Sequence, residues 1–117
     1  MKLQAHAVEK PWGRTDLAGV FGGSSERRIG EIWFEHPALQ DLPLLVKYIF
    51  TSEKLSVQVH PNDDEAHNRG LARGKNECWY ILDAEQGATL GLGLKSEVSA
   101  DELRASAIDG SIEDLMD

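Results

Sequence analysis

The stretch LSVQVHPND, Leu55 to Asp63, decides the fold class of this chain. Leu55, Val57 and Val59 alternate with Ser56, Gln58 and His60. Successive side chains of a strand point to opposite faces, so the run reads as a strand with one apolar and one polar face. Pro61 offers no ladder donor, and Asn62, Asp63 and Asp64 favour turns, so the strand is expected to stop there. Gln58 and His60 then lie near a strand end, on the face that looks into water or into a site.

Outward from this run, Ile29 to Glu35 (IGEIWFE) and Leu44 to Thr51 (LLVKYIFT) are rich in β-branched and aromatic residues and read as strands, joined by the turn-rich segment His36 to Pro43. Upstream, Gly22, Gly23, Ser24 and Ser25 read as an exposed connection. Downstream, the polar segment Asn62 to Lys75 reads as a loop with one helical turn near Glu65 to Arg69. Glu77 to Asp83 (ECWYILD) and Ala88 to Leu94 follow as further strands. Short strands separated by turn signals predict a mainly β sandwich or barrel. The tail differs: Ser99 and Glu102 have capping-box spacing, Leu103 and Ala107 continue at helical spacing, and Asp109 with Gly110 break the helix before Ser111 opens another turn.

At 117 residues, with a net charge of -8, the chain has the length of one domain and lacks the cationic excess that phosphate backbones or anionic membrane surfaces require. No nucleic-acid or membrane partner is expected, although a small anionic substrate needs only a few local cations. No window approaches the roughly 20 apolar residues of a membrane span. Cys78 is the only cysteine, which excludes an internal disulfide and CxxC-type zinc sites and suits a reducing, cytoplasmic setting.

Period two puts Lys75, Glu77 and Trp79 on one side of the strand that Glu77 opens. Paired with Leu55 to His60 as a long-looped hairpin, that strand would bring Glu77 beside Gln58 and His60. An amide oxygen, an imidazole nitrogen and a carboxylate oxygen form a donor set that suits zinc and leaves positions open for substrate. Spacing alone leaves a second reading standing: a histidine on a strand is more often solvated, and Glu77 with Lys75 is as readily a surface charge pair. His6, His36 and His67 read as solvated, Cys78 as a buried thiol, and Trp12, Trp33 and Trp79 as packing residues. Gly91 and Gly93 are a lone GxG, too little for a nucleotide loop, and Asp63 to Glu65 lack the later ligands of a calcium site.

The ordered set KPWG (Lys10 to Gly13), IGEIW (Ile29 to Trp33), PLLVKYIF (Pro43 to Phe50), LSVQVHPND and GKNECWYIL (Gly74 to Leu82) resembles the type I mannose-6-phosphate isomerases, zinc-dependent cupins. The resemblance implies an incomplete cupin (jelly-roll) β domain over residues 1–95 and the start of a helical insertion over 96–117. It further implies Gln58, His60 and Glu77 as ligands of one Zn2+, Lys75 as a catalytic cation, and Ser56 and Lys47 as substrate-binding residues. The implied reaction is the aldose–ketose interconversion of mannose 6-phosphate and fructose 6-phosphate. The family's further histidine and arginine come from later in the chain. Here no histidine follows His67, and the only arginine after Glu77 is Arg104, so the chain reads as an amino-terminal portion. Open strand edges in such a portion are expected to invite self-association. The alternative is a cupin-like module that binds metal or sugar without turnover.

Overall fold

A computed structural model describes residues 2–17, 21–39 and 42–117. The chain forms two compact units, Met1–Lys75 and Asn76–Asp117. The first is built on a three-stranded antiparallel sheet, β1 (Gln4–Asp16), β2 (Ser24–Glu35) and β3 (Val46–Ile49), in the order β1-β2-β3, and also carries α1 (Asp63–Asn68). The second holds α2 (Ala100–Asp109) and α3 (Ile112–Leu115).

As the central strand, β2 is covered by neighbours on both edges, and four consecutive residues, Ile29, Gly30, Glu31 and Ile32, are buried. Period two then sorts the sheet into unlike faces. One is aromatic: Phe34 and Tyr48 pack with Phe21 and Phe50, the Phe21 and Tyr48 rings meeting edge to face at 5.0 Å. The other carries Glu31, Trp33 and Glu35 of β2, with His6 of β1 and Lys47 of β3 both opposite Trp33.

β1 has no counterpart in the sequence reading, because Lys10-Pro11-Trp12-Gly13 has the composition of a turn. It is instead a large bulge: Glu9 and Arg14 both stand against Ile29, so the four residues between them leave the ladder. Arg28 Nη1 donates to the Pro11 carbonyl at 3.2 Å, and the Ser52 amide donates to the Trp12 carbonyl at 2.9 Å, satisfying groups that the bulge takes off the ladder. Gly30 makes room for the crossing chain, since a Cβ there would lie 2.5 Å from the Lys10 stem and 2.9 Å from the Trp12 ring. Gly30→Ala is therefore expected to cost about 1–3 kcal/mol, read from the urea unfolding midpoint, with no change expected if the bulge can shift freely.

The expected strands at Ile29 to Glu35 and Leu44 to Thr51 correspond to β2 and to the shorter β3. Within the turn-rich segment between them, Gln40 and Asp41 lie outside the described residues. Leu55 to His60, Glu77 to Asp83 and Ala88 to Leu94 correct the sequence reading: none forms a β-strand. Alternation makes a segment fit for a sheet, but a strand exists only where a neighbour supplies ladder hydrogen bonds. The apolar positions of these segments are correspondingly open, Val59 being 86% and Tyr80 87% exposed. Cys78 is exposed rather than buried, and Trp79 is only half covered.

The helical expectations hold. Ser99 Oγ accepts from the Glu102 amide at 3.2 Å to cap α2, and Gly110 ends it at φ 87°. The Leu92 and Lys95 amides donate to the carbonyls of Asp117 and Leu115, both at 2.9 Å, tying the end of α3 and the residues after it to the segment before α2. No helix among the described residues is long and apolar enough to cross a membrane.

Candidate functional site

The loop after His60 is a folded unit. Asn62 caps α1 by accepting from the Glu65 amide at 2.9 Å, and the Glu65 carboxylate accepts from the Asn62 amide at 3.1 Å, a complete capping box. Asp63, Asp64 and Glu65 in the first turn suit the positive end of the helix, which gives the acidic run a structural role. Ala66 is fully buried beneath the returning chain, whose Leu71 amide donates to the Ala66 carbonyl at 2.9 Å. Asp63 Oδ1 then accepts from the Gly74 amide at 2.8 Å, and the Lys75 amide donates to the Pro61 carbonyl at 3.1 Å. A Cβ on Gly74 would stand 2.4 Å from that carbonyl oxygen, so glycine is required for the closure.

This closure joins the ends of two motifs: the HPND that follows Gln58 and the GK that precedes Glu77 meet through their backbones. His60, adjacent to Pro61, is half-buried, whereas Lys75 is exposed. Gln58 Nε2 donates to Ser56 Oγ at 2.9 Å, across the two-residue spacing that puts both side chains on one side of the extended segment. With its nitrogen so committed, the amide presents Oε1 as the end suited to a cation. Glu77 is exposed and belongs to the second unit. Among the described residues no three His, Cys, Asp or Glu side chains gather into a metal-binding group. The oriented amide of Gln58, the imidazole of His60 and the carboxylate of Glu77 do match zinc in donor chemistry.

Lys47 occupies a more definite place. Its Nζ lies 2.9 Å from Glu31 Oε1, while Trp33 Nε1 donates to Glu31 Oε2 at 2.8 Å. Glu31 is 7% exposed. Burial alone would raise its pKa. The hydrogen bonds from Lys47 and Trp33, with the charges of Lys47 and Lys10, outweigh that effect and hold the carboxyl below its ordinary range. Sequence reasoning passed over Glu31, although a signal was present: IGEIW and LLVKYIF each interrupt an apolar strand with one charge, and the two charges are opposite.

The remaining histidines have local roles. His6 pairs with Glu35 at 2.9 Å on the exposed sheet face, His36 Nδ1 accepts from the Ala38 amide at 3.2 Å, and the His67 ring bonds the Ala72 carbonyl at 2.9 Å.

No protein-family model and no solved structure matches the chain. Curated proteins do. The probable mannose-6-phosphate isomerase GmuF of Bacillus subtilis is 41% identical over 80 residues, 62% of this chain and 25% of that protein. The mannose-6-phosphate isomerase ManA of the same organism is 41% identical over 73 residues, 56% of this chain and 23% of that protein. The mannose-6-phosphate isomerase of Streptococcus mutans is 34% identical over 104 residues, 84% of this chain and 32% of that protein. The chain thus spans about a quarter to a third of the length of these relatives. By sequence it is a relative of the mannose-6-phosphate isomerases, over a part of their length.

Proposed function

We propose that this chain is part of a type I, zinc-dependent mannose-6-phosphate isomerase of cupin class, acting in the cytoplasm. The carrying observation is 41% identity over 80 residues to a protein named a probable mannose-6-phosphate isomerase, in a chain that holds the QVHP and GKNE motifs. The closed loop from Pro61 to Lys75 supports the reading, because it fixes the backbone that joins those motifs.

In this reading Gln58, His60 and Glu77 hold the metal, which when bound supplies Lewis-acid polarisation of the oxygens at C1 and C2 of the open-chain sugar. Gln58 contributes a neutral oxygen oriented by Ser56, whose hydroxyl also lines the substrate pocket. Lys75, next to the loop closure, is the catalytic cation: it offers positive charge where negative charge develops as a proton moves between the two carbons. Lys47, held on the sheet by Glu31, supplies a second cation for the sugar phosphate. The outer strands β1 and β3 each have one neighbour in the sheet, and Leu44, Leu45 and Val46 are exposed, which supports association of this region with another strand or copy.

The test is conversion of mannose 6-phosphate to fructose 6-phosphate by the full-length protein carrying this sequence, before and after chelation. Activity is expected to disappear with the metal and to return with added zinc. Absence of conversion by the zinc-loaded protein would overturn the isomerase reading, and undiminished turnover by metal-free protein would overturn the zinc.

A further inference from the structure

The polar face of the sheet holds a charged pair where an ordinary solvated face would leave its charges in water. Glu31 is almost wholly covered, and the Lys47 side chain is only 21% exposed. Both carboxylate oxygens of Glu31 are engaged, one by the Lys47 ammonium and the other by the Trp33 indole. The backbone fixes the three residues together: Trp33 follows Glu31 by two positions on the central strand, and Lys47 stands directly opposite Trp33 on β3. Burying such a pair returns little stability compared with apolar residues of similar size, so stability is a poor reason to place it on a strand whose neighbouring residues Ile29 and Ile32 are themselves buried. A covered cation with a fixed anionic partner suits another task, which is to keep an ammonium charged and in one position for an anionic ligand.

We infer that Glu31 is a positioning residue that acts through Lys47, clamping its ammonium for the phosphate or sugar oxygens of the substrate, with Trp33 fixing the carboxylate. The inference rests on the sugar-phosphate reading above. Glu31 itself touches no substrate in this scheme. Its carboxylate orients the cation.

The experiment uses the full-length protein and variants E31Q, K47M and E31Q/K47M. One readout is steady-state kinetics; the other is acetylation of Lys47 by acetic anhydride, followed by mass spectrometry with and without mannose 6-phosphate. E31Q is expected to raise KM on the order of tenfold with a smaller change in kcat, and to remove the substrate's protection of Lys47. In the K47M background, E31Q is expected to add no further rise in KM, because the partner through which it acts is gone. A purely structural role predicts instead an equal further loss in that background, with protection of Lys47 retained in E31Q, and either result overturns the proposal. The two readings fail separately: protection of wild-type Lys47 without turnover would refute the isomerase and keep the clamp, whereas normal turnover with unchanged protection in E31Q would refute the clamp alone. Should E31Q not fold, E31D retains the charge on a stem one carbon shorter; a KM raised threefold or more supports the clamp, and a wild-type KM overturns it.

Discussion

Glu77→Gln in the full-length protein is expected to lower zinc content and isomerase activity together, with activity falling at least about 100-fold. The substitution changes almost nothing in size. It replaces a charged, two-oxygen donor with a neutral amide, and of the three proposed ligands Glu77 alone brings negative charge to the metal. Glu77 is exposed, so the change is expected to leave folding stability within about 0.5 kcal/mol, which separates loss of a ligand from loss of the fold. Elemental analysis of the purified variant decides the matter. Wild-type zinc occupancy would remove Glu77 from the ligand set, even if activity were low. Full occupancy with full activity would leave only the surface charge pair with Lys75 that spacing also permits.

The sequence was most legible where local chemistry acts alone. Ser99 with Glu102 announces a helix start because a cap needs only residues three positions apart, whereas Asn62, read as a turn residue, proves to cap α1 in the same way with Glu65. β2 and β3 were legible because their aromatic and β-branched runs are what a covered sheet selects. Leu55 to His60 and Glu77 to Asp83 show the limit of the same rule. The alternation of the first and the aromatic, β-branched run of the second state a capacity for pairing, whereas a ladder also requires a partner, about which neither pattern carries information. β1 failed in the opposite direction. Its turn-like KPWG is a bulge that becomes intelligible only when Gly30, Arg28 and Ser52 are seen to receive it from across the sheet. In the candidate site, Gln58, His60, Lys75 and Glu77 stood out by residue type. Glu31 did not, because its meaning is a contact with Lys47 sixteen residues away.

That contact leads to a second large effect. Lys47→Met keeps most of the apolar stem but leaves the Glu31 carboxylate buried without its cation, and is expected to cost about 3 kcal/mol at pH 7. The lower end of the range for a broken buried pair applies, since the Trp33 indole still donates to the carboxylate. The pH dependence should also change sign. In the wild type, burial raises the Glu31 pKa but is outweighed, so the folded-state value lies below the unfolded one. Its contribution to stability is therefore fully present above the unfolded value and is lost as pH falls through the depressed folded value. In K47M the hydrogen bond and charge of Lys47 are gone, leaving the Trp33 hydrogen bond and the Lys10 charge against burial, the largest single influence, so the folded-state value is expected to move above the unfolded one. The folded protein then binds the proton more readily than the unfolded chain, and the variant should regain stability as pH falls from 7 towards 5, where the wild type changes little at this group. Urea unfolding midpoints at the two pH values measure this directly. A deficit in K47M that is equal at both would mean that the lost interaction is packing of the lysine stem, and that the buried charge of Glu31 is not what Lys47 neutralises.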